Sequence, residues 1–302
     1  MTANAEQILL AYYRLSFPTI LGIDFPSTFD EARRYRDVND YLLEKLSKSE
    51  VNAAKIRLEH YQREIAPSVK TRPLLDFLNT YKNLRPLSLL DFGCGSGYTL
   101  AYLVTRLKSL RAVWGIDRDP DALTKCKRLS ALLNSHVAFA VDTQVDKIPK
   151  QSCCDLIVAI HTFHHIKKDE QNATIDRLLT TLSPRGILYL YEDSWSEEQP
   201  LEQSNSIDKR FWTLSTQQKI EVFKHNEYWA NNWCYGRALA IPESNYRSFE
   251  EWKRLLSAKG LKIVAGGVIN FDVRRLHGVP SAWLIAMPLS HPSPRENRVT
   301  KM

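Results

Sequence analysis

The sequence has few cysteines, no long apolar run and no dense cluster of basic residues. Its five cysteines are odd in number and form no CxxC pair, which excludes the pattern of a disulfide framework or a cysteine zinc site. No stretch reaches the ~20 apolar residues of a membrane span, and the N-terminus lacks the pattern of a signal peptide. These absences favour a soluble, cytoplasmic protein with reduced thiols and no membrane partner.

The net charge is only mildly basic. Lys and Arg outnumber Asp and Glu by 41 to 34, but the basic residues are scattered along the chain. A scattered excess does not predict a nucleic-acid partner, because such binding needs a basic patch or run. With 302 residues and 44% hydrophobic content, the chain can form one large α/β domain or two small domains.

The apolar pattern divides the chain into three regions. Residues 1–85 are predicted to form an N-terminal helical cap. Over 86–288, short apolar strands alternate with amphipathic helices, which is typical of a parallel, doubly wound α/β sheet. Within that region, 194–247 is polar, irregular and rich in aromatic residues, and 289–302 is predicted to be a flexible polar tail.

Glycine is scarce, yet three of the 11 glycines lie in the stretch LLDFGCGSGYTL, residues 89–100. Asp91 lies near the end of the predicted strand LSLLDF, and Gly93, Gly95 and Gly97 follow it. Glycines allow a tight turn and a close approach of the backbone to a ligand. Doubly wound sheets bind ligands at the carboxyl ends of their strands, so this stretch predicts a ligand site with an acid beside it.

The pattern D-x-G-x-G-x-G resembles the first motif of class I S-adenosylmethionine-dependent methyltransferases. A dinucleotide fingerprint would place the third glycine one residue later. The resemblance covers 87–193 and implies a Rossmann-like, mostly parallel seven-stranded sheet with helices on both faces. The sequence pattern outside 87–193 adds an N-terminal helical region and a cap insertion after strand five. It also implies S-adenosylmethionine as cofactor, whose amino group an acid can anchor and whose carboxylate backbone N–H groups can hold.

Two more acids end the next two predicted strands. Asp117 ends RAVWGID, 26 residues after Asp91, where a carboxylate can accept hydrogen bonds from a ribose diol. Asp119 is the predicted N-cap of the next helix, so Asp117 is not needed for capping. Asp142 ends VAFAVD, where the resembled family often binds the adenine amino group. The resemblance assigns cofactor binding to Asp91, Gly93, Cys94, Gly95, Gly97, Asp117, Arg118, Asp142, Thr143 and Ile160.

Catalytic candidates follow the predicted strands CDLIVAI and ILYLYED. Methyl transfer needs a general base only where the nucleophile carries a proton. His161 is the candidate base, with a positioning or packing histidine as the alternative. Glu192 is the second catalytic candidate, with a solvated loop residue as the alternative. His161 and His165 have the spacing of a metal pair, but no full ligand signature accompanies them, and we predict no metal.

The segment 194–247 is expected to fold over the cleft as a lid. Its aromatic residues suit an apolar, aromatic or cationic substrate, and the alternative is that they form the segment's own core. The candidate substrate residues are His164, Asp193, Trp195, Tyr235 and Arg237.

These observations favour methyl transfer to a small molecule, and two alternatives stay open. An RNA or protein methyltransferase would fit the mild positive charge. Against it, AIHTF replaces the Asn/Asp-Pro-Pro-aromatic motif, and no recognisable RNA-binding module is appended. A regulatory or scaffolding protein that binds the cofactor without methyl transfer is the second alternative, because the glycine loop predicts binding and not turnover. The oligomeric state stays open.

Overall fold

The computed structural model describes residues 3–133, 138–142, 153–198, 205–234, 245–276 and 278–289. Its helices are α1 (Ala3–Leu21), α2 (Phe29–Ala32), α3 (Val38–Lys45), α4 (Lys48–His60), α5 (Ala66–Thr80), α6 (Tyr98–Arg106), α7 (Pro120–Ala131), α8 (Glu170–Thr181), α9 (Ser206–Trp212), α10 (Thr216–Glu227) and α11 (Phe249–Ala258). Its strands are β1 (Ser88–Phe92), β2 (Ala112–Ile116), β3 (Ala138–Asp142), β4 (Cys154–Ile160), β5 (Leu182–Asp193), β6 (Leu261–Ile269) and β7 (Ser281–Pro288).

Shorter helical segments complete the description: Tyr61–Ile65 and Tyr228–Cys234 are π-helical, and Phe163–His165 is a 3₁₀ turn. Within the described ranges, none of the helices combines the length and the apolar character needed to cross a bilayer.

The strands are hydrogen-bonded in the order β3-β2-β1-β4-β5-β7-β6. β1 runs parallel to both β2 and β4, β2 runs parallel to β3, and β4 runs parallel to β5. The chain therefore builds outward from β1 in one direction and from β4 in the other, which makes the β1–β4 boundary the switch point of the sheet. This confirms the predicted Rossmann-like, mostly parallel sheet and places the ends of β1 and β4 side by side.

Strand β5 begins five residues earlier than the predicted strand ILYLYED, at Leu182 instead of Ile187. Its pairing with β4 is irregular between Cys154 and Leu156. A Cβ on Gly186 would lie 2.9 Å from the carbonyl oxygen of Cys154, so glycine permits the close approach that this irregular start requires. The first five residues of β5, LSPRG, were not predicted as strand, because they lack the apolar pattern of a buried strand.

The chain divides into two compact units, which are described separately. Unit 1 comprises Met1–Ile65, Asp193–Phe249 and Val268–Ala282. Unit 2 comprises Ala66–Glu192, Glu250–Gly267 and Trp283–Met302 and contains most of the sheet. The first segment of unit 1 ends at Ile65, earlier than the boundary at 85 expected from the sequence, because α5 packs against α6 within unit 2.

The predicted irregularity of 194–247 was wrong over 205–234, which is largely helical, whereas the described residues 194–198 and 245–247 are irregular as predicted. The side chain of Asn205 accepts hydrogen bonds from the first turn of α9, and Ser215 forms a capping box with Gln218 at the start of α10. Both caps were readable in the sequence. Several aromatic residues of this segment are buried in unit 1, namely Phe211, Trp212, Phe223, Trp229 and Trp233. This favours the interpretation that they form the segment's own core.

Candidate active site

The glycine loop after β1 adopts a conformation that residues with side chains rarely enter. Gly93, Gly95 and Gly97 have φ angles of 78°, 52° and 82°. A Cβ on Gly93 would lie 2.2 Å from Oγ1 of Thr162, and one on Gly97 would lie 2.6 Å from Sγ of Cys126. A Cβ on Gly95 would meet nothing within 4 Å. Gly93 and Gly97 are therefore required for packing, whereas Gly95 faces open space.

The loop is anchored to the end of β2 by its own backbone N–H groups. The N–H groups of Gly93 and Cys94 donate to the carbonyl oxygen of Ile116 at 2.7 and 2.9 Å. The N–H of Gly95 donates to Oδ2 of Asp117 at 2.8 Å. Because the other oxygen of Asp117 accepts the N–H of Asp119 at 2.9 Å, this carboxylate fixes both the loop and the start of the next turn.

Asp119 caps α7 as predicted, since its side chain accepts the N–H groups of Asp121 and Ala122. Pro120 occupies the first turn of that helix, which also agrees with the prediction. Asp117 takes no part in this cap. Its carboxylate is half-buried at the loop and contributes negative charge there.

Asp91 is a buried carboxyl group near the end of β1. Its side chain is 2% exposed, and Oδ2 makes no hydrogen bond within the described part of the chain. Burial, and after it the negative charge of Asp117, raises the pKa of Asp91 from 3.8 to about 7. A buried carboxyl of this kind is suited to a ligand that brings a positive charge or hydrogen-bond donors.

The thiol of Cys94 faces the protein interior. The hydrogen bond with Cys126, together with burial, raises the pKa of Cys94 far above its ordinary value, so the group stays a thiol. The contribution of Cys94 to a ligand site is therefore restricted to its backbone.

The other predicted cofactor residues lie at the ends of β2, β3 and β4. Ile116 pairs with Asp142, and the N–H of Asp117 donates to the carbonyl oxygen of Asp142 at 3.2 Å. The side chain of Arg118 is exposed, and Ile160 ends β4 with 9% exposure. Thr143 lies outside the described residues. The described members thus share the carboxyl edge of the sheet.

His161 has an unusual backbone conformation. Its φ is 51°, and it is the only non-glycine with a positive φ in the described ranges. Its N–H donates to the carbonyl oxygen of Tyr191 at 2.8 Å, and its ring lies 5.3 Å from the Tyr191 ring. A non-glycine residue in this region is often held there for function, because the conformation has an energetic cost.

The carboxylate of Glu192 holds the turn that contains His161. One oxygen accepts the N–H groups of Thr162 and Phe163, both at 2.7 Å. The other oxygen lies 2.7 Å from Nδ1 of His164. Glu192 and His164 are 1% and 2% exposed. Because three hydrogen bonds occupy this carboxylate, the geometry favours a positioning role over that of a general base.

Two further side chains fix the same turn. The hydroxyl of Thr162 donates to the carbonyl oxygen of Phe92, at the end of β1, at 3.0 Å. The buried amide of Gln171 donates to the carbonyl oxygens of Phe163 and Ile166 at 2.9 and 3.2 Å. The sequence analysis missed both residues. The spacing in sequence offers no hint of contacts that span 70 and 8 residues.

The remaining substrate candidates belong to unit 1 or lie outside the described ranges. Trp195 is 4% exposed and stacks on Phe223, with ring centroids 6.0 Å apart. Asp193 is 1% exposed and accepts the hydroxyl of Ser281 at 3.5 Å. Tyr235 and Arg237 fall outside the described residues.

A family model described as a methyltransferase domain matches residues 58–265 of the chain. Among curated proteins, O-methyltransferase 3 of Dictyostelium discoideum is 28% identical over 111 residues, which make up 35% of this chain and 25% of that protein. The match therefore spans only about a quarter of the length of this relative.

Two solved structures are similar to this chain. A S-adenosylmethionine-dependent methyltransferase from Methanosarcina mazei has a TM-score of 0.50 at 18% identity, over 70% of this chain and 97% of that one. The magnesium protoporphyrin IX methyltransferase of Synechocystis, solved with S-adenosylhomocysteine, has a TM-score of 0.49 at 14% identity, over 75% of this chain and 85% of that one. The Methanosarcina comparison shows a shared fold.

Proposed function

The chain belongs to the methyltransferase-domain family, and we propose that it transfers a methyl group from S-adenosylmethionine to a small-molecule nucleophile by in-line displacement. The observation that carries the proposal is the buried Asp91 carboxyl, with Oδ2 unbonded within the described residues, beside three left-handed glycines. When bound, S-adenosylmethionine supplies a methyl group activated by a positively charged sulfur. The residues of this chain therefore have to bind the cofactor, align the nucleophile with its methyl group and exclude water.

We assign the binding roles from the chemistry of each group. The Asp91 carboxylate suits the cationic amino group, and the open space at Gly95 leaves the loop backbone accessible to a ligand. Asp117 has lone pairs left beyond its two backbone hydrogen bonds, and these suit the ribose hydroxyls. Asp142 and Arg118, at the ends of β3 and β2, suit the edge and the face of the adenine.

We assign the proton-accepting role to His161. It follows β4 directly, at the switch point of the sheet, and its backbone is held in the left-handed region. Glu192 and His164 act on His161 through the backbone of the turn and are positioning residues. Asp193 and Trp195 remain candidate substrate contacts. The proposal also includes a sheet of seven strands and a cap insertion after β5.

Replacing His161 by Asn separates proton transfer from backbone conformation. Asn tolerates a positive φ better than other non-glycine residues, so His161→Asn should keep the turn while it removes the imidazole. We expect kcat to fall by about 100-fold, the usual contribution of a general base. The affinity for S-adenosylhomocysteine, measured by calorimetry, should change less than about twofold, because the ring is not assigned to cofactor binding.

His161→Ala serves as the control for strain. It should lose the same activity and be less stable than His161→Asn, because Asn tolerates a positive φ better than Ala does. Full activity in His161→Asn would remove the imidazole from the reaction.

Replacing Glu192 by Gln tests the positioning role. The Gln oxygen can still accept the N–H groups of Thr162 and Phe163, but its amide group donates where Oε2 accepted, opposite Nδ1 of His164. We expect the melting temperature to change little and kcat to fall by about tenfold or more, because small displacements at a reacting centre are costly. The KM for the cofactor should stay within about twofold.

Glu251→Gln is the matched control. Glu251 lies on α11 of unit 2 and forms a partly exposed ion pair with Lys168 at 3.2 Å, so this change should leave kcat unaltered. A Glu192→Gln enzyme with wild-type kcat would show that the His164 contact is structural only.

The substrate class is tested by incubating the protein with methyl-labelled S-adenosylmethionine and three separate fractions, namely small metabolites, bulk tRNA and bulk protein. The proposal expects label in the small-molecule fraction and release of S-adenosylhomocysteine. Label in tRNA or protein would overturn the substrate class while keeping the activity. Binding of the cofactor without release of product in any fraction would overturn the activity itself.

A further inference from the structure

Thr162 lies between the two parts of the proposed site in unit 2. It follows His161 directly, in the turn after β4, and it is half-buried. Strand β4 is a parallel neighbour of β1, whose last residue, Phe92, precedes the glycine loop. The side chain of Thr162 is therefore placed where it can contact both the loop, to which we assign the cofactor, and the turn, to which we assign the base.

The hydroxyl of Thr162 forms a polar link between the turn and β1. Its Oγ1 lies 3.0 Å from the carbonyl oxygen of Phe92 and 3.2 Å from that of Ile160. Phe92 ends β1, and Ile160 ends β4. A hydroxyl has one hydrogen, so it donates to one of these oxygens or is shared between them. One hydroxyl thus joins the carboxyl ends of two neighbouring strands at the switch point of the sheet.

The same side chain also lies against the glycine loop. A Cβ on Gly93 would lie 2.2 Å from Oγ1 and 2.4 Å from Cγ2 of Thr162, so the threonine occupies the space that a side chain at this position would need. On the other side of β1, the N–H groups of Gly93 and Cys94 donate to the carbonyl oxygen of Ile116, at the end of β2. The loop is therefore held by β2 on one side and contacts Thr162 on the other.

The backbone of Thr162 continues this link into the turn. Its N–H donates to Oε1 of Glu192 at 2.7 Å, and the same oxygen accepts the N–H of Phe163. Its carbonyl oxygen accepts the N–H of His165 at 3.2 Å. The side chain of Thr162 thus contacts the loop while its backbone is bonded within the turn, so the position of the preceding residue, His161, depends on both.

We propose that Thr162 is a positioning residue that couples the glycine loop to the turn of His161, a role that rests on the proposed function. The loop holds the cofactor and the turn holds the imidazole, so the contact between loop and turn sets the position of the imidazole relative to the methyl group. Small displacements at a reacting centre are costly in rate. Conversely, a cofactor that holds the loop also restrains the turn through Thr162.

Hydrogen exchange in the full-length protein tests this coupling without a substrate. Saturating S-adenosylhomocysteine should slow exchange of the amides of residues 162 and 163 in the wild type by at least about tenfold, because opening of the turn then also disturbs the bound loop. Thr162→Val keeps the branched shape and removes the hydroxyl that ties the turn to β1, so the slowing should be less than about twofold. Equal slowing in the two proteins would overturn the coupling.

Calorimetry with the same ligand separates this role from the proposed function. Wild type and Thr162→Val should bind S-adenosylhomocysteine with affinities within about threefold, because the bonds of the loop to β2 and Asp117 remain. Absence of binding to the wild type would overturn the proposed function and this role with it. Binding to the wild type without slower exchange at the turn would overturn the role of Thr162 alone.

Turnover provides a second readout. With methyl-labelled S-adenosylmethionine and the small-metabolite fraction, Thr162→Val should lower the apparent kcat by at least about tenfold and leave the KM for the cofactor within about twofold. Thr162→Ser keeps the hydroxyl and should restore the apparent kcat to within about threefold of the wild type. A serine variant as slow as the valine variant would contradict the role of the hydroxyl.

Thr181→Val is the matched control for the loss of a buried hydroxyl. Thr181 is 5% exposed, and its hydroxyl donates to the carbonyl oxygen of Leu178 at 2.8 Å. It ends α8 immediately before β5, and it therefore lies at the opposite edge of the sheet from the site. The control should lose stability, but its kcat and the effect of S-adenosylhomocysteine on the turn should match the wild type. An equal loss of kcat in Thr181→Val would contradict a specific role of Thr162.

Discussion

Replacing Asp91 by Asn is expected to stabilise the ligand-free protein above neutral pH and to abolish binding of S-adenosylmethionine. The carboxyl is buried, and its pKa is raised from 3.8 to about 7. Below pH ~4 both the folded and the unfolded protein hold this proton, so Asp91 costs nothing there. As the pH rises, the unfolded chain releases the proton first, and the stability of the wild type falls until the folded carboxyl also ionises near pH 7.

The size of the gain follows from this difference in pKa. At ~1.4 kcal/mol for each pKa unit, the penalty that Asn removes reaches about 4 kcal/mol above pH 7 and is smaller at pH 5. Thermal or urea unfolding of Asp91→Asn and wild type at pH 5 and pH 8 measures it directly. Calorimetry should detect no binding of S-adenosylmethionine to the variant, since a neutral amide cannot replace the buried negative charge.

Asp117→Asn is the matched control because it should change stability in the opposite direction. Asp117 is half-buried, and its two oxygens accept the N–H groups of Gly95 and Asp119. An amide offers only one oxygen and turns a donor toward the second N–H, so the variant should be less stable than wild type. An Asp91→Asn protein that is less stable than wild type at pH 8, or that still binds the cofactor, would disprove the role assigned to Asp91.

The part of the site that the sequence predicts is the part with local causes. The glycine loop has to turn within a few residues of β1. The spacing of Gly93, Gly95 and Gly97 therefore predicts its conformation. Likewise, the cap of α7 by Asp119 depends on residues two and three positions further on. Turns and helix caps of this kind can be predicted from a residue type that lies a few positions from the strand end or the helix start.

The part that the sequence does not predict depends on contacts between distant segments. Glu192 was named as a catalytic candidate, yet its hydrogen bonds to residues about 30 positions earlier fill its acceptors. The steric need for glycine at 93 comes from Thr162, which no local pattern relates to it. Such roles depend on the β1–β4 pairing, and the register of that pairing cannot be read from either strand alone.

The irregularity predicted for 194–247 failed for a different reason. Helix α9 and the π-helical segment Tyr228–Cys234 have only seven residues each, and most of these are buried, so the 3.6-residue periodicity is weak there. The caps at Asn205 and Ser215 are local features that the polar composition of the segment does not reveal. Composition indicates how polar a segment is, whereas a capping residue indicates where a helix can begin.

Replacing Gly95 by Arg is expected to abolish cofactor binding while the protein stays folded. Gly95 has a φ of 52°, so any side chain costs about 1–2 kcal/mol of backbone strain. A Cβ there would meet nothing within 4 Å, so no clash with the protein adds to this cost. The Arg side chain would instead occupy the space beside the loop that we assign to the ligand. Calorimetry with S-adenosylhomocysteine should show at least about a hundredfold loss of affinity, the scale of losing several hydrogen bonds.

Gly260→Arg provides a matched control for the strain. Gly260 follows α11, has a φ of 77°, and likewise has nothing within 4 Å of its Cβ position. Both variants should therefore lose similar stability in thermal unfolding, and only Gly95→Arg should lose the ligand. Gly93→Ala should behave in the reverse manner, with a larger loss of stability, because its Cβ would lie 2.2 Å from Oγ1 of Thr162. Wild-type affinity in Gly95→Arg would show that the ligand does not approach this side of the loop, and the site would then have to be sought elsewhere on the sheet.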